Sequence, residues 1–303
     1  MTLVVLALDA LDAGLVEYFA PETDGLVLES SAEIETYAYS KDEPFTPEVW
    51  ATVATGLEPP EHGVTGSGTS EWENPLLELG SKVTGRLDED VRGTLGRLVR
   101  RTTGQRERLA STDAETTFDR EGAVVRNWPG VTDGRDLQRA WDLMAAASED
   151  LSRSEFDRRL LGLAAEQFGW AREMLEHDVS LAGVHVHALD SAGHAYAGDE
   201  EALGHVYGRV NGFVEELVDA LGEDDELLIL SDHGMRTTFY PPDGDETPAT
   251  HSWRAYATAT TDSLPSSVYD VVDWVDEHWE RADGDDEEVD VAVDRLRELG
   301  YVE

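Results

Sequence analysis

Continuous apolar runs and helical apolar stripes alternate along the chain. Three runs, residues 3–8 (LVVLAL), 181–189 (LAGVHVHAL) and 226–230 (ELLIL), are typical of strands buried on both faces of a parallel sheet. An aspartate follows each run closely: Asp9, Asp190 and Asp232. Because parallel strands present their carboxyl ends at one edge of a sheet, we expect these three carboxylates to share a site there.

Amphipathic helices are predicted between the strands. Apolar residues recur at helical spacing over 203–221 and over about 154–176, where Ser154 and Asp157 resemble a capping box. The alternation predicts an α/β fold with a mostly parallel sheet and helices on both faces. The stretch from about 70 to 150 is less regular, and we interpret it as a helical cap or insertion within a single domain of residues 1–303.

The charge of the chain is strongly one-sided, with 23 Lys and Arg against 65 Asp and Glu and a net charge of −42. The acidic residues are spread along the whole chain and only two lysines occur, Lys41 and Lys82. A salt-rich cytoplasm, as in halophilic archaea, would screen this charge, so we predict a salt-adapted protein. An acidic surface for a basic partner is the alternative, and nucleic acid is disfavoured as a main partner.

One segment departs from the acidic background. Residues 82–108 contain eight Lys and Arg against four Asp and Glu. They form either an exposed segment paired with the acidic surface or a lip that attracts an anionic substrate.

Cysteine is absent, which excludes disulfides, thiolate metal ligands and a cysteine nucleophile. Met1 leads directly into the first predicted strand, without a basic start or a long apolar run. We therefore expect a cytoplasmic protein without a membrane partner.

Five segments carry the candidate chemistry: LALD to Asp9, FTPEVWATVATGLEPPEHG around Thr46, LDSAGH with Asp190 and His194, LSDHGM with Asp232 and His233, and ATHSW with His251. Taken singly, each has an ordinary structural explanation; Thr46, for example, suits a helix N-cap. Taken together, aspartate oxygens, imidazole nitrogens and one hydroxyl are the inventory of a two-metal phosphoryl-transfer site. Thr46 lies nine residues before Thr55-Gly56, and Pro59 leads to His62-Gly63.

These motifs, in this order, resemble the alkaline phosphatase superfamily, in particular the type I phosphodiesterase/nucleotide pyrophosphatase branch and related archaeal predicted phosphohydrolases or phosphomutases. The resemblance implies one metal held by Asp190, His194 and His251. It implies a second metal held by Asp9, Asp232 and His233 together with Thr46. Thr46 would attack phosphorus in line and form a phosphothreonine intermediate, which a second displacement would hydrolyse. Zinc suits the Asp/His ligands best, and manganese is the alternative.

The remaining expectations concern the substrate and nearby residues. Ser67 occupies the position where nucleotide pyrophosphatases have a phosphate-binding asparagine, so diester and monoester substrates both remain open. His62 is interpreted as a hydrogen-bonding residue of its loop, and His185 and His187 as core or supporting residues rather than ligands. The amides of Glu48 and Val49, near the start of a predicted helix, would face phosphate. The favoured function is a phosphodiesterase or pyrophosphatase acting on a small phosphorylated substrate; a phosphomonoesterase, a phosphomutase and a non-catalytic metal-binding relative are the alternatives.

Overall fold

The computed structural model describes residues 1–66, 110–147, 151–240 and 247–279. Ser67 and the basic segment 82–108 lie outside these ranges, so their predicted roles stay predictions. The described part of the predicted insertion contains one strand and one helix, and the strand belongs to the main sheet.

The described strands form a six-stranded sheet and a two-stranded hairpin. Their bounds are β1 (Leu3–Leu8), β2 (Ser30–Ile34), β3 (Ala123–Arg126), β4 (Leu181–Val186), β5 (Glu226–Leu230), β6 (Gly234–Met235), β7 (His251–Ser252) and β8 (Ala255–Ala259). The sheet order is β2-β8-β5-β1-β4-β3, and β6 pairs with β7. Five strands of the sheet run in parallel, while β8 runs opposite to its neighbours β2 and β5. The predicted α/β fold with a mostly parallel sheet is confirmed.

Strand β1 lies at the centre because all six of its residues are apolar and buried. Its register places Leu6 beside Val184 of β4 and Ile229 of β5. Alternate side chains of β1 pack into two separate hydrophobic cores, one on each face of the sheet. One core contains Val4, Leu6 and Leu8, and the other contains Leu3, Val5 and Ala7. Burial on both faces explains why this strand is a continuous apolar run.

Helices cover both faces of the sheet. Their bounds are α1 (Ala13–Tyr18), α2 (Thr46–Thr55), α3 (Pro59–His62), α4 (Arg135–Ala147), α5 (Arg153–Met174), α6 (Ala188–Tyr196), α7 (Glu200–Val218) and α8 (Val271–His278). Leu160 of α5 and Val210 of α7 pack in the core with Leu6, whereas Trp50 of α2 and Trp274 of α8 pack in the other core. None of the helices in the described ranges is long and apolar enough to cross a bilayer.

Two local predictions are wrong. Helix α5 is capped by Ser152, whose Oγ accepts from the amide of Glu155 (3.3 Å), so the cap lies two residues before the predicted Ser154. Asp157 instead accepts a hydrogen bond from the hydroxyl of Tyr196 (2.6 Å). Strand β4 ends at Val186, because the backbone turns at His187 (φ −92°, ψ 18°). Asp190 therefore lies in the first turn of α6 rather than at a strand end.

Candidate metal centre

The predicted site residues meet at the carboxyl edge of β1, β4 and β5. Asp9 follows β1 directly, and Asp232 and His233 follow β5. Helix α6, which follows β4, carries Asp190 in its first turn and His194 in its last, and His251 begins β7. The three carboxylates are almost completely buried. Residues far apart in sequence thus reach one small region of the fold.

Thr46 begins α2 and is 5% exposed. Its Oγ1 lies 3.4 Å from Asp9 Oδ1 and 3.4 Å from His233 Nε2. The hydroxyl therefore faces the carboxylates and remains slightly open to solvent. This is a suitable position for a nucleophile.

Asp190, His194 and His251 form the first of two clusters. The Nε2 atoms of the two histidines are 3.3 Å apart, and they lie 3.3 and 3.5 Å from Asp190 Oδ1. The three groups present one ligand atom each within 4.8 Å of one another. This is the donor set implied for the first metal.

Asp9, Asp232 and His233 form the second cluster. His233 Nε2 lies 3.3 Å from Asp9 Oδ1 and 3.3 Å from Asp232 Oδ2. The backbone amide of Ala10 contacts the other oxygen of Asp232 at 3.4 Å. The imidazoles of His233 and His251 stack with ring centroids 3.7 Å apart, so the two clusters are neighbours.

The backbone fixes which nitrogen of each of these histidines faces the site. His251 Nδ1 donates to the carbonyl of Pro44 (2.7 Å), His194 Nδ1 to that of Ala249 (3.0 Å), and His233 Nδ1 to that of Gly234 (3.0 Å). Because a carbonyl oxygen only accepts, each neutral ring carries its proton on Nδ1. The three Nε2 lone pairs therefore point toward the carboxylates, as metal-ligating imidazoles do.

Each cluster also contains a buried carboxylate oxygen without a hydrogen-bond donor among the described residues: Asp190 Oδ1 and Asp232 Oδ2. Lone pairs of nitrogen and anionic oxygen that converge at about 3.3 Å repel one another unless a positive charge lies between them. The donor set thus fits divalent cations in both clusters, and the mixture of imidazole and carboxylate fits zinc or manganese.

The ionisation of the carboxylates is uneven. Burial and the neighbouring charge of Asp9 raise the pKa of Asp232 well above its usual range. Burial also disfavours the charged form of Asp9, but the charge of His187 and the hydrogen bonds from His185 and His187 together outweigh it and hold the pKa of Asp9 well below the usual value. Buried carboxylates so close together need cations to be ionised at once.

A scan against protein families finds one model, described as type I phosphodiesterase / nucleotide pyrophosphatase, that matches residues 3–254. The chain belongs to this family. The resemblance inferred from the motifs is thereby confirmed. Membership in the phosphodiesterase family supports phosphoester hydrolysis or transfer as the chemistry of the chain.

Individual relatives are more distant. A segment of 98 residues is 32% identical to GPI ethanolamine phosphate transferase 3 of Eremothecium gossypii, and it spans 32% of this chain but only 9% of that protein. Among solved structures, the alkaline phosphatase of the Antarctic bacterium TAB5 aligns over 91% of this chain and 97% of its own, with 11% identity and a TM-score of 0.47. Murine ectonucleotide pyrophosphatase/phosphodiesterase 5 aligns over 78% of this chain and 58% of its own, with 15% identity and a TM-score of 0.40.

Within this phosphodiesterase-family site, His185 and His187, interpreted from the sequence as core or supporting residues, lie within hydrogen-bonding distance of the carboxylates. His187 Nδ1 is 2.6 Å from Asp9 Oδ2, and its Nε2 is 2.9 Å from Asp190 Oδ2. Burial opposes the charge of His187, but these two carboxylates raise its pKa well above 6.5. His185 Nε2 lies 2.9 Å from the same Asp9 oxygen. The signal in the sequence is the HxH alternation just before the DxxxH motif.

Asp12 connects the chain segments that carry the site. Its Oδ1 accepts from the amides of Gly14 and Leu15 at the start of α1, and its Oδ2 accepts from the amide of Met235 (2.9 Å). Arg254 pairs with the same carboxylate (2.9 Å), and the hydroxyl of Ser252 donates to it. One buried carboxylate thus ties the loop after Asp9 to both strands of the β6–β7 hairpin.

The start of α2 differs from the prediction in one respect. The amides of Glu48 and Val49 both donate to the carbonyl of Phe45 (3.0 and 3.1 Å), so the expectation that they face phosphate is wrong.

His62 Nδ1 accepts from the amide of Val64 (3.1 Å), and its Nε2 lies 3.2 Å from the hydroxyl of Thr52. His62 therefore organises the loop after α3, in agreement with its interpretation.

Proposed function

We propose that this chain is a metal-dependent phosphoester hydrolase of the phosphodiesterase/nucleotide pyrophosphatase type, with Thr46 as the nucleophile. The observation that carries the proposal is the convergence, beside the Thr46 hydroxyl, of three Nε2 lone pairs and two carboxylate oxygens that have no hydrogen-bond donor among the described residues. A small phosphorylated molecule is the proposed substrate, and a diester or pyrophosphate bond is favoured over a monoester.

Asp190, His194 and His251 would hold one divalent cation, and Asp9, Asp232 and His233 would hold the other. When bound, such cations would lower the pKa of the nucleophile and stabilise the negative charge of the leaving oxygen. Both zinc and manganese accept this mixture of ligands. Zinc is proposed first because it suits combined Asp and His ligands best, and manganese is the alternative.

Thr46 would attack phosphorus with its Oγ1 while the leaving alcohol or phosphate departs on the opposite side. The new bond is a phosphothreonine ester, and the hydroxyl proton passes through solvent to the departing oxygen. Attack of water on the same phosphorus would regenerate the hydroxyl and release the phosphorylated product. Two in-line displacements would give net retention at phosphorus.

The test compares p-nitrophenyl phosphate with bis-p-nitrophenyl phosphate in molar KCl, using protein stripped of metal and then supplied with zinc or manganese. Thr46→Val keeps the shape of the side chain but removes the hydroxyl, whereas Thr46→Ser keeps the hydroxyl. We expect metal-dependent turnover in the wild type, a loss of at least about 1,000-fold in Thr46→Val, and measurable turnover in Thr46→Ser.

Acid quenching during turnover followed by mass spectrometry should reveal phosphate on Thr46. Equal activity of Thr46→Val and wild type would refute the nucleophile. Absence of metal binding in the folded wild type would refute the metal centre.

A transferase is the second candidate, because the 98-residue match is to a protein named as an ethanolamine phosphate transferase. The discriminating assay adds ethanolamine or glycerol to the reaction. Transfer of the phosphoryl group to the added alcohol, in preference to water, would favour the transferase. Release of products in proportions unaffected by the alcohol would favour the hydrolase.

A further inference from the structure

His185 is a buried imidazole beside the metal centre that the proposed function does not use. Asp9, His185 and His187 each present a ligand atom within 4.8 Å of the others, so this trio alone could be taken for a third cation site. Whether His185 can be a ligand of such a cation depends on whether its Nε2 carries the ring proton. An Nε2 with a lone pair can bind a cation, whereas an Nε2 that carries a proton can only donate to the carboxylate.

The side-chain amide of Asn127 reveals where that proton lies. Asn127 is buried, follows β3 and has a left-handed backbone (φ 57°). Its Oδ1 accepts from the amide of Leu137 (2.8 Å), in the first turn of α4, where backbone amides lack partners within the helix. An N–H donor must face the oxygen of the side-chain amide, so its NH₂ group faces the other way.

On that other side lies His185. Asn127 Nδ2 is 3.0 Å from the carbonyl of His185 and 3.3 Å from its Nδ1. Because an NH₂ group only donates, Nδ1 must accept and therefore carries no proton. The neutral ring then carries its proton on Nε2, which donates to Asp9 Oδ2 at 2.9 Å. His194, His233 and His251 have the opposite arrangement, with Nδ1 donating to a backbone carbonyl.

We propose that Asn127 and His185 form a positioning pair that holds Asp9 through its Oδ2, and that His185 is not a metal ligand. The pair leaves Asp9 Oδ1 directed toward Thr46 and His233, where the cation of the proposed function would bind. The inference rests on that function for the role of Asp9, but the proton position can be measured independently.

The first test is nuclear magnetic resonance of zinc-loaded protein labelled with ¹⁵N-histidine, in which the ring nitrogen shifts identify each tautomer. The His185→Gln variant assigns the His185 signals by their disappearance. We expect a neutral ring with its proton on Nε2 for His185. A His185 ring with its proton on Nδ1, or with Nε2 shifted by a bound metal, would overturn the proposal.

The second test measures zinc affinity and stoichiometry by competition with a chelator in molar KCl. His185→Gln keeps an N–H near Asp9 Oδ2, whereas His185→Leu removes it. Asn127→Asp replaces the donor that faces Nδ1 with an acceptor. We expect two zinc ions in every variant, affinity about 10- to 100-fold weaker in His185→Leu and Asn127→Asp, and affinity within a few-fold of wild type in His185→Gln.

Rescue by glutamine separates a hydrogen-bonding role from simple packing, since both substitutions remove the imidazole. An equal loss of zinc affinity in His185→Gln and His185→Leu would overturn the proposed positioning pair. Loss of one bound zinc ion in His185→Gln would overturn it as well. If His185→Leu does not fold, His185→Gln and Asn127→Asp still give opposite expected results. A wild type that binds no cation would instead refute the proposed function, and that result is obtained without any variant.

Discussion

The Nε2 atoms of His194 and His251 lie 3.3 Å apart, and Asp190 Oδ1 lies within 3.5 Å of both. Neither nitrogen carries the ring proton, because each Nδ1 donates to a backbone carbonyl. In their neutral forms these rings and the carboxylate repel one another unless a positive charge lies between them.

Replacing His251 with alanine should reduce bound zinc from two ions per chain to one, because one of the three proposed ligands of that ion is lost. The matched control is His177→Ala, which removes an exposed histidine whose Nε2 lies 3.3 Å from Glu173 at the surface. Metal analysis after gel filtration measures both. Two ions in His251→Ala, or one in His177→Ala, would contradict the assignment.

Asp12→Asn should destabilise the protein by about 3–5 kcal/mol, because it removes the charge of the fully buried carboxylate that pairs with Arg254 and places an NH₂ group against backbone amides that themselves donate. The control is Glu216→Gln, which breaks an exposed ion pair with Arg172 (3.4 Å) and should change the free energy of unfolding by about 0–1 kcal/mol. Urea unfolding in molar KCl gives both values. Similar values for the two variants would show that the Asp12 network contributes little.

The stability of metal-stripped protein should fall as the pH rises above 6.5. Burial lowers the pKa values of His187 and His233, but the neighbouring carboxylates outweigh it: the pKa of His187 lies well above 6.5 and that of His233 is about 10. Their stabilisation is complete below the unfolded pKa of 6.5 and is lost as the pH rises through the folded values. Each additional proton bound by the folded state contributes a slope of about 1.4 kcal/mol per pH unit.

Zinc-loaded protein should show the opposite trend over the same pH range, because metal ligands bind in their deprotonated forms. Thermal unfolding at pH 6.5, 7.5 and 8.5, with and without zinc, provides the measurement. Parallel pH profiles for the two forms would argue against cations at these histidines.

Two glycines should respond to alanine with opposite signs. A Cβ at Gly183 of β4 would overlap the ring of Phe118, so Gly183→Ala should cost about 1–3 kcal/mol of stability. A Cβ at Gly162 of α5 would meet no atom within 4 Å, so Gly162→Ala should stabilise by about 0.5–1 kcal/mol through its better helix propensity. Chemical denaturation measures the change in the free energy of unfolding of both variants. Changes of the same sign would contradict the prediction.

The sequence predicts the parts of the fold that depend on local patterns. Residues 3–8 and 226–230 are recognisable as strands because burial on both faces requires continuous apolar side chains. The Ser152 cap was misplaced by two residues because Ser152 and Ser154 are equally good capping residues and only the backbone selects between them. The motif residues are brought together at the predicted edge, while their roles as ligands and nucleophile stay proposals.

The contacts that the sequence does not predict join residues far apart in the chain. Asp12 and Arg254 are separated by more than 240 residues, and nothing near either one indicates the other. The same is true of Asn127 and His185, since the direction of a side-chain amide depends on a helix that begins several residues later. The tautomer of His185 is set by such a distant partner, so it becomes visible only in the folded structure.

The wide spacing of the proposed ligands has a consequence for synthesis on the ribosome. Asp9 emerges early, whereas His251 lies on β7, after every other proposed ligand, and Asp12 is paired with Arg254 only once the hairpin of β6 and β7 has formed. A nascent or truncated chain that stops before β7 holds carboxylates but cannot complete either the first cluster or the Asp12 network. Uptake of the cation proposed for Asp190, His194 and His251 would therefore mark a chain whose translation has passed His251.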